Sequence, residues 1–147
     1  MESPYQGVAV LLVDVARLLR RNFNRRAQAL GLTQPQWQAL ARLSQNQGMN
    51  QACLADLLEV QPITLARLVD RLEAAGWVER RPDPDDRRAQ RLFLTAQVEP
   101  LLDDMRSFSS ATREEALAGL SDAERRQLIE TLKTVKSNLV RAEVARA

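Results

Sequence analysis

Apolar residues at Val8, Leu11, Leu12, Val15, Leu19, Phe23 and Leu30 recur at helical spacings, which predicts an amphipathic helix from near Gln6 to Leu30. Gly31 follows, a residue suited to the positive φ that ends a helix. Thr33-Gln34-Pro35-Gln36 has the form of a capping box and opens a second helix through Trp37, Leu40 and Leu43. Asn50 can cap a short third helix, Gln51–Leu58. A Glu59-Val60-Gln61 link leads to a fourth, with Pro62 in its first turn and Gly76 just past its end.

The pattern then changes period. Trp77–Arg81 and Arg91–Thr95 read as short strands, with Pro82–Gln90 as the hairpin loop between them. Thr95 starts a fifth helix, with Val98, Leu101, Leu102, Met105, Phe108, Leu117 and Leu120 on its apolar side. Pro100, about one turn in, removes a backbone donor and is expected to bend that helix slightly. Ser121-Asp122-Ala123-Glu124 is a second capping box, opening a last helix whose Leu128, Leu132, Val135 and Leu139 form a heptad-like seam. Helices, a two-stranded hairpin and flanking long helices in this order predict a mainly α (α+β) winged helix-turn-helix. One domain, 1–147, is expected, with a winged lobe over 34–99 and dimerisation helices over 1–33 and 100–147. A monomer would leave the apolar seams of the first and last helices uncovered, so a symmetric homodimer is expected.

Composition narrows the chemistry. At 147 residues with 45% apolar content the chain can bury one ordinary core. Met1–Pro4 are expected to fray. No apolar run approaches the length that crosses a bilayer, and Val8–Val13 lacks the flanks of a signal peptide, so no membrane partner is expected. A lone cysteine, Cys53, excludes an internal disulfide and suits a reducing, cytoplasmic compartment. Histidine is absent, which removes the commonest general base and metal ligand together. The 5 glycines are scattered and form no phosphate-cradling loop. Neither catalysis nor a cofactor nor a metal is therefore expected. Net charge is only +2, and residues 34–95 balance 8 basic against 8 acidic groups. Bulk charge decides nothing; the placement of the arginines must.

On the fourth helix, about 100° of rotation per residue puts Leu65, Leu68, Val69, Leu72 and Ala75 in one sector, the expected core face. Ile63, Arg67, Asp70 and Ala74 lie opposite, with Thr64 and Arg71 flanking. An outward isoleucine can meet a thymine methyl in the major groove while Arg67 reaches a guanine edge or a phosphate. Thr64 and Arg71 suit phosphates, which set register. An ordinary solvated face with one stray isoleucine explains the same pattern. Ala55 adds weight to the first reading, because a helix-turn-helix needs a small residue where its two helices cross.

Residues 80–95, RRPDPDDRRAQRLFLT, hold the densest opposed charge in the chain. Leu92 and Leu94 alternate with Arg91 and Phe93, so one strand face packs inward while the tip projects. Asp85 and Asp86 precede Arg87 and Arg88, so a carboxylate can brace a guanidinium that enters a narrow minor groove. The alternative is a charged turn whose local ion pairs contribute almost nothing.

The run from Gln61 to Thr95, and above all Asp83-Pro84-Asp85-Asp86-Arg87-Arg88 followed by Leu94-Thr95, resembles the MarR family of bacterial transcription regulators. Residues 31–37 and 94–102 are most similar to its SlyA subgroup. The resemblance implies that Arg88 enters the minor groove with Asp86 orienting it, and that Thr64 and Arg67 hold recognition-helix positions; Pro62, Ile63 and Arg71 of the same helix are expected to face DNA with them. It further implies a double-stranded DNA operator, self-association through the first, fifth and sixth helices, and response to small aromatic carboxylates or phenolic compounds. Arg17 is then the cation for such a ligand, with Thr33 and Trp37 in the wall. Plain core for Trp37 and plain surface for Arg17 is the favoured alternative. The chain departs from the family's pattern at Glu59, where a glycine is common, and at Gln61-Pro62-Ile63. Cys53 is expected to be a half-buried structural thiol rather than a redox sensor. The expected function is site-specific transcriptional regulation, chiefly repression, by a homodimer. An architectural DNA binder or protein-interaction module is the alternative.

Overall fold

The computed structural model describes residue 3 and residues 5–147, so most of Met1–Pro4 lies outside the described residues. The chain runs α1 (Val8–Gln28), α2 (Gln34–Gln45), β1 (Met49–Asn50), α3 (Gln51–Leu58), α4 (Pro62–Ala74), β2 (Val78–Pro82), β3 (Gln90–Leu94), α5 (Glu99–Ala116) and α6 (Asp122–Arg146). Among the described residues no helix is long and apolar enough to cross a membrane. Two compact units result, Met1–Thr112 and Arg113–Ala147.

The core of the first unit belongs to the short helices. Leu40 and Leu43 of α2, Leu54 of α3, Leu65, Val69 and Leu72 of α4, Leu92 of β3 and Val98 are all fully buried. From α1 only Phe23 and Ala27, near its C-terminal end, are buried. Phe23 lies against Trp37 with ring centroids 4.5 Å apart and meets Phe108 edge-on at 6.2 Å. Beside this cluster, Thr112 donates to Asn22 Oδ1 at 2.8 Å and accepts from Arg26 Nη1 at 3.2 Å. That polar clasp ties α1 to α5 and leaves the buried Thr112 hydroxyl satisfied.

Local chemistry sets the helix ends. Gly31 takes φ +73° after α1, and Thr33 with Gln36 closes the expected capping box on α2. Asn50 Oδ1 accepts from Ala52 N at 2.7 Å to start α3.

The wing hairpin is part of a three-stranded antiparallel sheet, ordered β1-β3-β2. The two-residue β1 pairs Met49 with Leu92. A strand this short, running directly into a helix, leaves no alternating pattern to read. Gly48 makes the approach possible: its N–H bonds to Leu92 O at 2.9 Å, its φ is +80°, and a Cβ there would press on the Phe93 ring. The ladder between β2 and β3 extends to Pro82 opposite Gln90, so the loop is 83–89, shorter than expected. Pro82 is tolerated because β2 is an edge strand, where a missing N–H need not cost a ladder bond.

Three expectations need correction. Ala75 is exposed, because α4 ends at Ala74 and the following residue leaves the helical face. Leu117 and Leu120 are not on α5, which ends at Ala116. Thr95 caps a 3-10 turn, Ala96–Val98, rather than α5 itself, and Pro100 is the second residue of α5. There its missing donor is one that no intrahelical acceptor would have met, so it is no cause of a bend.

In the second unit, Ser121 and Glu124 form the expected capping box on α6. Two bonds to Ser121, backbone and then hydroxyl, hold the Glu124 carboxyl below its ordinary value. Arg125 folds back to the carbonyls of Leu117 at 3.1 Å and Leu120 at 3.2 Å and pairs with Glu114. No residue of α6 is buried.

Candidate nucleic-acid interface

The turn between α3 and α4 is built around one backbone group. Val60 N–H bonds to Ala55 O at 3.1 Å, closing α3 with Glu59 in the left-handed region at φ 54°. Ala55 is itself buried where α3 meets α4, as its small size allows. Pro62 opens α4, and Leu65 N–H bonds to Gln61 O at 3.0 Å.

Along α4 the two faces separate. Leu65, Leu68, Val69 and Leu72 are buried, whereas Pro62, Ile63, Thr64, Arg67, Asp70 and Arg71 are exposed. Ile63 is 61% exposed, an uncovered apolar side chain between polar neighbours. Asp70 is not free on this face: its Oδ1 lies 2.7 Å from Arg80 Nη1.

The five arginines of residues 80–95 divide by partner. Arg80 pairs with Asp70 and Glu73. Arg81 pairs with Glu79 at 3.3 Å and lies over the Phe93 ring at 4.1 Å. Arg91 donates to Asp83 at 3.1 Å. Arg87 and Arg88 stay exposed at the tip, and among the described residues no carboxylate holds either guanidinium.

The carboxylates at the tip shape backbone instead. Asp86 Oδ1 accepts from Arg88 N–H at 3.0 Å and Asp86 O from Ala89 N–H at 3.0 Å. Asp83 Oδ1 accepts from Asp85 N–H at 2.8 Å. That bond first, then the Arg91 guanidinium, holds the Asp83 carboxyl below its ordinary value. The brace expected between Asp86 and the Arg88 guanidinium is thus a turn bond to the Arg88 backbone. Two residues on a tight turn reach each other's main chain more easily than their side-chain ends. Between tip and helices lies a cleft of about 350 Å³, with Ala55, Pro62 and Leu65 on one side and Asp86, Arg88 and Gln90 on the other.

The residues suggested for a ligand each have their own surroundings in the chain, with Trp37 N–H bonded to Thr33 O at 3.1 Å. Arg17 is exposed on α1 beside Asp14, at 3.7 Å. Thr33 is spent on the α2 cap. Trp37 is core, its Nε1 donating to Asn24 Oδ1 at 3.1 Å. Cys53 is exposed rather than half-buried, since Leu54 and Ala55 take the inward face of the short α3. Among the described residues no cluster of acidic, cysteine or histidine groups could hold a metal ion.

The model of the MarR family matches residues 32–89, which span α2, β1, α3, α4, β2 and the wing tip. A solved transcriptional regulator, PA3341, is 32% identical, with a TM-score of 0.80 over 91% of this chain and 98% of that one. The chain belongs to the MarR family. A MarR transcriptional regulator from Methanosarcina mazei Go1 is 27% identical, with a TM-score of 0.81 over 92% of this chain and 97% of that one. Wild-type MarR from E. coli, in its apo form, is 26% identical, with a TM-score of 0.75 over 92% of this chain and 98% of that one. MarR proteins are regulators of transcription that bind double-stranded DNA, not enzymes, and this chain has their winged-helix fold. The residue sequence reasoning missed is Arg80. Nothing in its spacing marks it among five arginines, because its partners lie on α3 and α4.

Proposed function

We propose that this chain regulates transcription as a homodimer at a pseudo-palindromic operator. On this reading 34–99 is the DNA-binding lobe, with 1–33 and 100–147 supplying the dimerisation helices. Ile63 and Arg67 of α4 read base edges in the major groove, while Pro62, Thr64 and Arg71 sit against the backbone. Arg88 enters the neighbouring minor groove from a tip that Asp86 folds. The observation that carries the reading is the exposed row Ile63, Thr64, Arg67 and Arg71 beside a wing tip whose two arginines have no acidic partner among the described residues.

The finer features follow from the same reading. The protein acts in the bacterial cytoplasm, on the nucleoid when DNA-bound, as a repressor. If a small aromatic carboxylate or phenol tunes it, Arg17 is the cation available, since Thr33 and Trp37 already serve the cap and the core. Such a ligand would act by changing the spacing of the two lobes.

The test is retention of fragmented genomic DNA from the source organism on the purified protein. Recovered fragments should share a pseudo-palindrome with half-sites about 10 base pairs apart. Arg67→Ala should erase discrimination between sites. Uniform weakening across all sequences would instead mark an architectural binder, and no retention would overturn the reading.

A further inference from the structure

Arg80 spends its whole guanidinium inside the protein. Nη1 reaches Asp70 Oδ1 at 2.7 Å and Glu73 Oε1 at 3.2 Å, Nη2 donates to Ala66 O at 3.0 Å, and Nε to Gln51 Oε1 at 3.2 Å. One side chain thereby joins three elements: its own strand β2, the recognition helix α4 and the preceding helix α3. Its backbone N–H adds a fifth bond, to Glu73 Oε2 at 3.2 Å. That N–H faces outward on the edge strand, so Glu73 also covers a donor the sheet leaves open. The Arg80 side chain is 20% exposed, in contrast to the exposed Arg87 and Arg88 seven and eight residues on.

The geometry points to Arg80 as the positioning residue that holds the wing at a fixed angle to the recognition helix, so that both grooves are read together. The inference rests on the proposed function. A planar fork with several fixed donors sets an angle in a way that a single ammonium cannot. Asp70 lies in the outward row with Ile63 and Arg67, where a bare carboxylate would face phosphate. Arg80 covers that charge while using it as an anchor. Without Arg80 the wing keeps the apolar contacts of the buried Val78 and Leu92 with the core, yet loses the directional polar tie from β2 to α4 and α3.

A randomised 30-base-pair duplex library, selected separately with each protein and sequenced, separates this role from plain stability. The wild type should enrich half-sites together with A·T-rich flanks where the wing enters a narrow minor groove. Arg80→Met should keep the half-site preference and lose the flank preference, with affinity for the selected wild-type site falling about tenfold. Arg80→Lys, which keeps charge but not the fork, should fail to restore the flanks. The double variant Asp70→Asn, Glu73→Gln attacks the same lock from the other side and should reproduce the loss. It also decides the matter if Arg80→Met does not fold, as judged by circular dichroism. Unaltered flank preference in a folded variant overturns the inference. So does tighter binding by the double variant, which would make Arg80 a DNA cation restrained by its acids. If the wild type itself enriches no half-site, the functional reading has failed and the inference falls with it.

Discussion

Asp83 and Arg91 close the neck of the wing, the carboxylate accepting from Nε at 3.1 Å while its other oxygen accepts from Asp85 N–H at 2.8 Å. Both bonds favour the ionised carboxylate, and together they depress its pKa. A depressed folded-state value means the stabilisation is complete above the unfolded value, at pH about 4. It is lost as pH falls through the lower folded value. A carbon-detected NMR titration should place the Asp83 midpoint below that of an aspartate in a disordered peptide. Arg91→Gln should raise the midpoint only part of the way, because the Asp85 amide remains. A midpoint at or above the peptide value would show that the neck is open in solution.

Arg88 makes no ion pair among the described residues, so its removal should spare the fold and strike the complex. Arg88→Ala should weaken operator binding at least tenfold, about 1.4 kcal/mol, with an unchanged melting temperature. The slope of log affinity against log salt should fall by about 1, the loss of one phosphate-region cation. Fluorescence anisotropy over a salt series measures both. An unaltered binding curve takes the wing tip out of the interface.

How much of this was legible depended on the range of the interaction. The two capping boxes, the Asn50 cap and the buried face of α4 from Leu65 to Leu72 are local patterns, complete within a few residues, and they stand in the structure as expected. What failed was set by partners far along the chain or by one residue's rotation. Strand β1 exists only because Gly48 and Met49 meet Leu92, over forty residues away. Cys53 lies one position from the inward pair Leu54 and Ala55, and an eight-residue helix is too short for period alone to fix such a boundary. In the charged stretch the density of opposed residues was visible, but not the pairing. Five arginines and several acids permit many matchings, and the tertiary contact with α4 sets the partners of Arg80.

Glu59 sits at φ 54°, where a Cβ costs roughly 1 kcal/mol that glycine avoids. Glycine gives some of this back through the greater freedom of the unfolded chain. Glu59→Gly should therefore raise the unfolding free energy by about 0.5 kcal/mol in a urea melt, with the slope unchanged. The side chain is exposed and makes no ion pair among the described residues, so no contact is lost in the exchange. Destabilisation would mean that the turn between α3 and α4 relaxes out of the left-handed region in solution.

The proposed dimer can be tested on either arm alone. On α1, Val8, Leu12, Val15 and Leu19 share one stripe and are each 37–49% exposed. On α6, Leu128 and Leu132 are about as exposed, and Leu139 is 64% exposed. Both rows carry the four-three-four spacing of a helix-pairing seam. Apolar rows of this length on a folded surface call for a partner. A carboxylate placed in such a row would have to be stripped of water on association, at a cost of several kcal/mol. Leu132→Glu and, separately, Leu19→Glu should therefore shift sedimentation from dimer toward monomer at micromolar concentration. Helix content by circular dichroism should hold, because neither side chain is buried within the chain. DNA binding should weaken in step, since a lone lobe engages one half-site. A Leu132→Glu protein that still sediments as the wild-type dimer would remove α6 from the interface, and the same result for Leu19→Glu would remove α1.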